Sequence, residues 1–135
     1  MGAKATVAIS LGIVTTPKSF AQMVAEALQH IPEVAPAALQ TRLQGGEQIV
    51  VIDVREPDEF AKGKIPGAFT IPRGVLEMQV DGRLPREATV VLYCGGGARS
   101  ALACASLAEM GYDKVENLAG GWHGWVGAGL PVEQP

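Results

Sequence analysis

One stretch, residues 89–110, limits what this chain can fold into more than any other: TVVLYCGGGARSALACASLAEM. Residues 89–93 are apolar or β-branched, the composition of a short buried strand. Cys94 follows at once, then Gly95, Gly96 and Gly97, then Ala98, Arg99 and Ser100. From Ala98 the sequence is rich in Ala and Leu and reads as a helix that Gly111 stops. Cys94 therefore falls where a strand ends, a glycine loop turns and a helix begins. In open parallel sheets, ligands bind in the crevice at the carboxyl ends of the strands.

The residue types in that turn suit one kind of ligand. Three successive glycines carry no Cβ, so the backbone can curl with its N–H groups inward as a nest for negative charge. The helix N-terminus adds partial positive charge and Arg99 a full one. Such a cradle holds a thiolate, a persulfide or an oxyanion, and Cys94 is expected to be a nucleophile within it. The plainer alternative is a small buried residue ending a strand beside a tight turn. That alternative gives no reason for a triple glycine followed by Arg-Ser at a helix start. Ser100 is expected to support the loop, and Arg99 to bind the anion.

Composition narrows the class. A chain of 135 residues makes one domain with a single core. Eleven Lys and Arg stand against 14 Asp and Glu, so the basic footprint of a nucleic-acid binder is missing. Cys94 and Cys104 are too few for a disulfide framework and lack zinc spacing, which fits a reducing compartment such as the cytoplasm. His30 and His123 complete no metal pattern with them, so neither metal nor cofactor is expected. Residues 5–14 are apolar behind Lys4 but contain Ser10 and Gly12, with no small-x-small cleavage pattern. They fall well short of the ~20 apolar residues that span a bilayer. They are expected to form a docked arm of an intracellular protein without membrane contact.

Taken in order, Phe20, Val24, Ala27, Leu28 and Ile31 recur at helical spacing and predict an amphipathic helix over 18–31. Packing on its own domain is the plainer use of its apolar face; a homodimer contact is the sharper one. With the arm it makes an N-terminal unit, 1–31, ahead of a main domain, 32–135. His30 is expected to offset the dipole at the end of this helix. A second helix starts at Pro36 and closes at Gly45-Gly46. Residues 49–52 form the continuous apolar run of a strand buried on both faces, ending in Asp53-Val54-Arg55. A helical turn opens at Pro57 and closes at Gly63. Residues 68–71 and 115–118 read as short strands and 74–80 as a weak helix, with a helical turn after 119–122. Alternating strands and helices argue for an α/β sheet with helices on both faces. Asp53 and Arg55 are expected to brace the loop from behind. Arg73 is either a cation at the pocket mouth or a solvated charge. Trp122 and Trp125 are expected in core or rim packing, and Cys104 as a buried small residue.

Three separated stretches resemble the rhodanese-like sulfurtransferases in their small single-domain form. They are Val51-Ile-Asp-Val-Arg-Glu with Glu59-Phe and Gly63-Lys-Ile-Pro-Gly-Ala, then Cys94-Gly-Gly-Gly-Ala-Arg-Ser, then Leu118-Ala-Gly-Gly-Trp-His-Gly-Trp. They cover roughly residues 35–132 and leave 1–30 outside. The resemblance implies a five-stranded, mainly parallel sheet flanked by helices. It also implies that Cys94 takes a sulfane sulfur from a small donor such as thiosulfate and holds it as a persulfide. The amides of residues 95–99 would cradle that persulfide before an acceptor, cyanide or a thiol, removes it.

Two departures and two rivals accompany the resemblance. Lys64 stands where many members carry histidine, a position that looks structural. No basic residue lies between Cys94 and Arg99, whereas a more cationic loop would favour a dianionic donor. One rival is a cysteine-dependent phosphatase or arsenate reductase, whose loop between Cys and Arg is typically one residue longer than Gly95-Gly-Gly-Ala98. The tighter ring suits a single sulfur, and phosphatase activity is expected to be absent. The other rival is a non-enzymatic sulfur carrier or protein-interaction module; interaction modules commonly lose the cysteine that this chain keeps.

Overall fold

The computed structural model describes residues 16–135. The expected arm over 5–14 lies outside the described residues. The elements run α1 (Phe20–Leu28), β1 (Glu33–Val34), α2 (Pro36–Gln44), β2 (Val50–Asp53), α3 (Pro57–Phe60) and β3 (Phe69–Thr70). A 3-10 turn at Arg73–Val75 leads into α4 (Leu76–Val80), then β4 (Val90–Tyr93), α5 (Ala98–Glu109), β5 (Val115–Leu118) and α6 (Gly121–Gly127). The five strands form one sheet in the order β1-β5-β4-β2-β3. Every neighbouring pair is parallel, so the expected α/β sheet is present and wholly rather than mainly parallel.

The side-chain period of two along each strand divides the core into two layers. Ile52, Val54, Val90, Leu92 and Cys94 face one side, against Leu76 and Val80 of α4 and Ala103, Cys104 and Leu107 of α5. Val51, Val91, Tyr93 and Leu118 face the other, against Leu39 of α2 and Trp125 of α6. Cys94 thus continues the inward row of Val90 and Leu92 and meets α5 directly. Fully buried residues such as Leu92 and Leu107 each contribute about 1.5–3 kcal/mol, which fixes this strand-to-helix junction.

The N-terminal helix exists but is shorter than the predicted 18–31. Ser19 and Gln22 form its capping box, with Ser19 Oγ accepting from Gln22 N at 3.1 Å and Gln22 Oε1 from Ser19 N at 2.7 Å. It packs along α5 with Val24, Ala27 and Leu28 half-buried, while Phe20 is 56% exposed. The chain leaves the helix at Gln29 so that Ile31 can enter the core, which places His30 beyond the last helical turn rather than at it. β1 is a strand that the sequence reading did not single out. It is two residues long, lies between Pro32 and Pro36, and forms by pairing with β5, Ala119 N donating to Val34 O at 2.9 Å. No described helix is long and apolar enough to cross a membrane.

Candidate active site

β4 is the central strand, and all of its residues are buried. Its carboxyl end therefore gives Cys94 a rigid base, and Cys94 itself is 1% exposed. Gly97, at the N-cap of α5, has φ +105, a left-handed backbone that favours glycine. That twist turns Gly97 N toward Cys94 Sγ at 3.1 Å, and Ser100 N approaches the same sulfur at 3.4 Å. The sulfur is thereby tucked into the first turn of a 12-residue helix, where backbone N–H groups and the helix dipole favour negative charge. The amides of Gly95, Gly96, Ala98 and Arg99 donate to no acceptor among the described residues.

What turns the loop inside out is α6. Trp122 N donates to Cys94 O at 2.7 Å and His123 N to Gly95 O at 3.0 Å, drawing both carbonyls away from the sulfur. This requires the two backbones to touch. A Cβ on Gly121 (φ +57) would stand 2.5 Å from Cys94 O and 2.8 Å from Gly95 O, contacts no side chain can make. The Gly-Gly pair ahead of Trp122 is thus a condition of the loop's shape.

Ser100 and Asn117 support the loop from the sheet side, both fully buried. Ser100 Oγ donates to Asn117 Oδ1 at 2.6 Å and lies 3.4 Å from Sγ, while Asn117 Nδ2 donates to Gly97 O at 3.1 Å and to Glu33 Oε2 at 3.2 Å. Sequence reasoning named Ser100 but missed Asn117. Its signal was a lone amide at an inward position of a strand that is otherwise anchored by Val115 and Leu118.

Arg99, expected as the anion-binding group of the loop, is itself paired. Its Nη1 and Nη2 donate to Glu59 Oε1 and Oε2 at 2.8 and 3.0 Å, a bidentate pair that also raises the Arg99 pKa. The same hydrogen bonds lower Glu59 to about 2, and Glu56 N, donating at 3.1 Å, helps hold it there. Glu59, on α3, was not anticipated as a partner of the loop.

Asp53 and Arg55 sit on the opposite face of the sheet from Cys94, 0% and 3% exposed. Arg55 Nε donates to Asp53 Oδ1 at 2.9 Å, and Nη2 to Asp53 Oδ2 and Gly63 O, both at 2.7 Å. Burial opposes the charge on Arg55, and its bonds to Asp53 more than offset this. Tyr93 Oη donates to Asp53 Oδ2 at 2.8 Å and accepts from Ile65 N, while burial pushes the phenol up. The Trp122 ring covers the Arg55 guanidinium at 4.5 Å. This group fixes the end of β4, the turn at Gly63 and the start of α6; its hydrogen bonds do not reach the loop itself.

The remaining residues lie elsewhere. Lys64 Nζ donates to Ala68 O at 2.6 Å and pairs with Glu133, a structural position. Arg73 pairs with Glu77 at 2.9 Å. Cys104 is fully buried, bonds Glu116 O at 3.5 Å, and burial pushes its thiol up. Trp125 is fully buried, donating to Pro131 O at 2.7 Å. Among the described residues no three His, Cys, Asp or Glu side chains are grouped to hold a metal ion.

Known proteins resemble this chain in sequence and fold. Residues 35–128 match the profile of the Rhodanese-like domain. A sulfurtransferase of Allochromatium vinosum is 38% identical over 105 residues, covering 78% of this chain and 97% of that protein. The thiosulfate sulfurtransferase GlpE of Actinobacillus succinogenes is 36% identical over 105 residues, covering 76% and 86%. A Rhodopseudomonas palustris structure, described as a protein of unknown function and possible tyrosine phosphatase, superposes with a TM-score of 0.80 at 35% identity, covering 88% of this chain and 97% of that one. With the profile spanning most of its length and a parallel sheet that ends in a Cys-Gly-Gly-Gly loop, the chain belongs to the rhodanese-like domain family.

Proposed function

We propose that this protein is a sulfurtransferase that carries a sulfane sulfur on Cys94. The observation that carries the reading is the loop's set of donors: two amides on Sγ at 3.1 and 3.4 Å, and four more with no acceptor among the described residues. A bare thiolate needs only the first two. A persulfide places its charge one atom further out, where the others can reach it.

Thiosulfate is the donor suggested by the relative that bears its name. The Cys94 thiolate attacks the outer sulfur, the new S–S bond forms, and sulfite leaves with the electron pair of the broken bond. Cyanide or a thiolate then attacks the outer sulfur of the persulfide and restores the Cys94 thiolate. Two half-reactions through a covalent intermediate give ping-pong kinetics. The loop, one residue shorter than a phosphatase ring, fits one sulfur better than a phosphoryl group, and aryl phosphates are expected to go unhydrolysed.

Intact-protein mass spectrometry after incubation with thiosulfate tests the reading. The expected result is a gain of about 32 Da, one persulfide sulfur, removed by cyanide and absent from Cys94→Ser. An adduct that survives in Cys94→Ser, or none in the wild type with any sulfane donor, would overturn it. A persulfide that forms readily but turns over only with a protein thiol would make the chain a carrier rather than a free enzyme.

A further inference from the structure

One side chain beside the loop takes no part in the steps above. His123, in the first turn of α6, is exposed, and its backbone N–H is tied to Gly95 O at 3.0 Å. Gly95 does not adopt a left-handed backbone, so its conformation does not require glycine. The space beside it is nonetheless tight. A Cβ built there would meet Arg99 Nη2 at 3.1 Å and His123 Nε2 at 3.4 Å. Nitrogens from two separate helices therefore converge on one point next to the reactive sulfur, and the missing side chain keeps that point open.

Charge makes the same place meaningful. Arg99 Nη2 has two N–H groups, one of them committed to Glu59 Oε2 at 3.0 Å. The second remains for a ligand, but the ion pair already neutralises the guanidinium. His123 ion-pairs with no carboxylate among the described residues. A dianionic donor approaching a loop whose only arginine is neutralised would need another donor group, and His123 is positioned to be it.

Building on the sulfur-transfer reading, we propose that His123 Nε2 and Arg99 Nη2 form an oxyanion subsite over Gly95. It would hold the sulfonate end of a thiosulfate-type donor, making His123 the residue that sets preference for a doubly charged donor. As the S–S bond of the donor breaks, its electron pair passes to the departing sulfite and the charge on the sulfonate oxygens grows. Donors fixed at those oxygens act most strongly at that moment.

The test compares thiosulfate, a dianion, with benzenethiosulfonate, a monoanion, in wild type, His123→Ala and His123→Lys. In ping-pong kinetics kcat/KM for the donor reports the first half-reaction alone, and kcat/KM for cyanide the second. His123→Ala is expected to lower kcat/KM for thiosulfate about tenfold, the loss of one charge-assisted hydrogen bond. Benzenethiosulfonate should lose no more than about a third of that on a logarithmic scale, cyanide should be unaffected, and His123→Lys should restore the thiosulfate preference. An active His123→Ala enzyme with an unchanged donor ratio, or equal losses for both donors, overturns the subsite and leaves the sulfur-transfer reading intact. A wild type that takes sulfur from neither donor overturns both.

Discussion

Two buried polar groups lie at the carboxyl ends of neighbouring strands, on opposite faces of the sheet, and they are built to opposite ends. On one face Asp53, Arg55 and Tyr93 satisfy one another, with Ile65 N and Gly63 O completing the set. On the other, Ser100 and Asn117 are matched, but the loop they support keeps backbone donors in reserve. Burial alone therefore says little about the role of a polar group. The closed cluster is a frame, and removing a member strands a charge. The open cluster is the one that the proposed persulfide would complete, and disturbing it should change chemistry more than folding.

The strongest way to test that division is Asp53→Ala. It leaves Arg55 buried without its carboxylate and should cost about 3–5 kcal/mol in urea unfolding. That is a large share of the ~5–15 kcal/mol that holds a domain together. Asp53→Asn, which keeps the shape and some hydrogen bonds, should cost less, and the folded fraction of either variant should still form the persulfide. Persulfide lost from fully folded Asp53→Asn would break the comparison.

Gly121→Ala probes the opposite side. Its Cβ would press on Cys94 O, 2.5 Å away in the present backbone, so the loop must shift. A misplacement of about 1 Å at a reacting group can cost about 100-fold in rate, whereas the helix it starts is only 7 residues long. Single-turnover persulfide formation should therefore fall about 100-fold, with a smaller relative loss of stability in the same preparation. A loss of stability with an intact rate would reassign Gly121 to the frame.

The smallest effect sharpens the link between the two. Arg99 hydrogen bonds hold Glu59 at about 2 in the folded chain, against about 4.3 for an unfolded glutamate. Because the folded value is the lower one, the pair's contribution is complete above the unfolded value and is lost as pH falls toward the folded one. The two side chains are 39% and 33% exposed, so solvent screening limits that contribution to under about 1 kcal/mol. Urea midpoints taken downward from about pH 5 should decline less steeply in Glu59→Gln than in wild type. Identical slopes would mean the pair adds nothing to stability.

Local pattern made the strand–loop–helix at Cys94 readable, because each of its signals lies within a few residues of the next. The strand count and the mainly parallel sheet rested on resemblance to a family, and the five-stranded, all-parallel outcome agrees with it. Other features depend on partners that are distant in sequence. β1 carries one buried residue between two prolines and becomes a strand only because β5 is there to pair with it. Glu59 and Arg99 are 40 residues apart, and Ser100 and Asn117 are 17 apart, so no periodicity joins them. The pairing of Arg99 with Glu59 was hidden for the same reason, since its partner belongs to another helix. In the sequence His123 offers only a metal-ligand reading; its place beside Gly95 comes from a glycine pair whose close backbone contact no local signal announces.

The hold of α6 on the loop also orders events during synthesis. Cys94 leaves the ribosome before Gly121, Trp122 and His123 do, and until those residues arrive the Cys94 and Gly95 carbonyls lack the amides that hold them. Between the synthesis of Cys94 and that of α6 a growing chain therefore carries its thiol in a loop that has not yet taken its shape. The geometry around the sulfur is thus set by a segment made after it, and not only by the strand and helix that flank it.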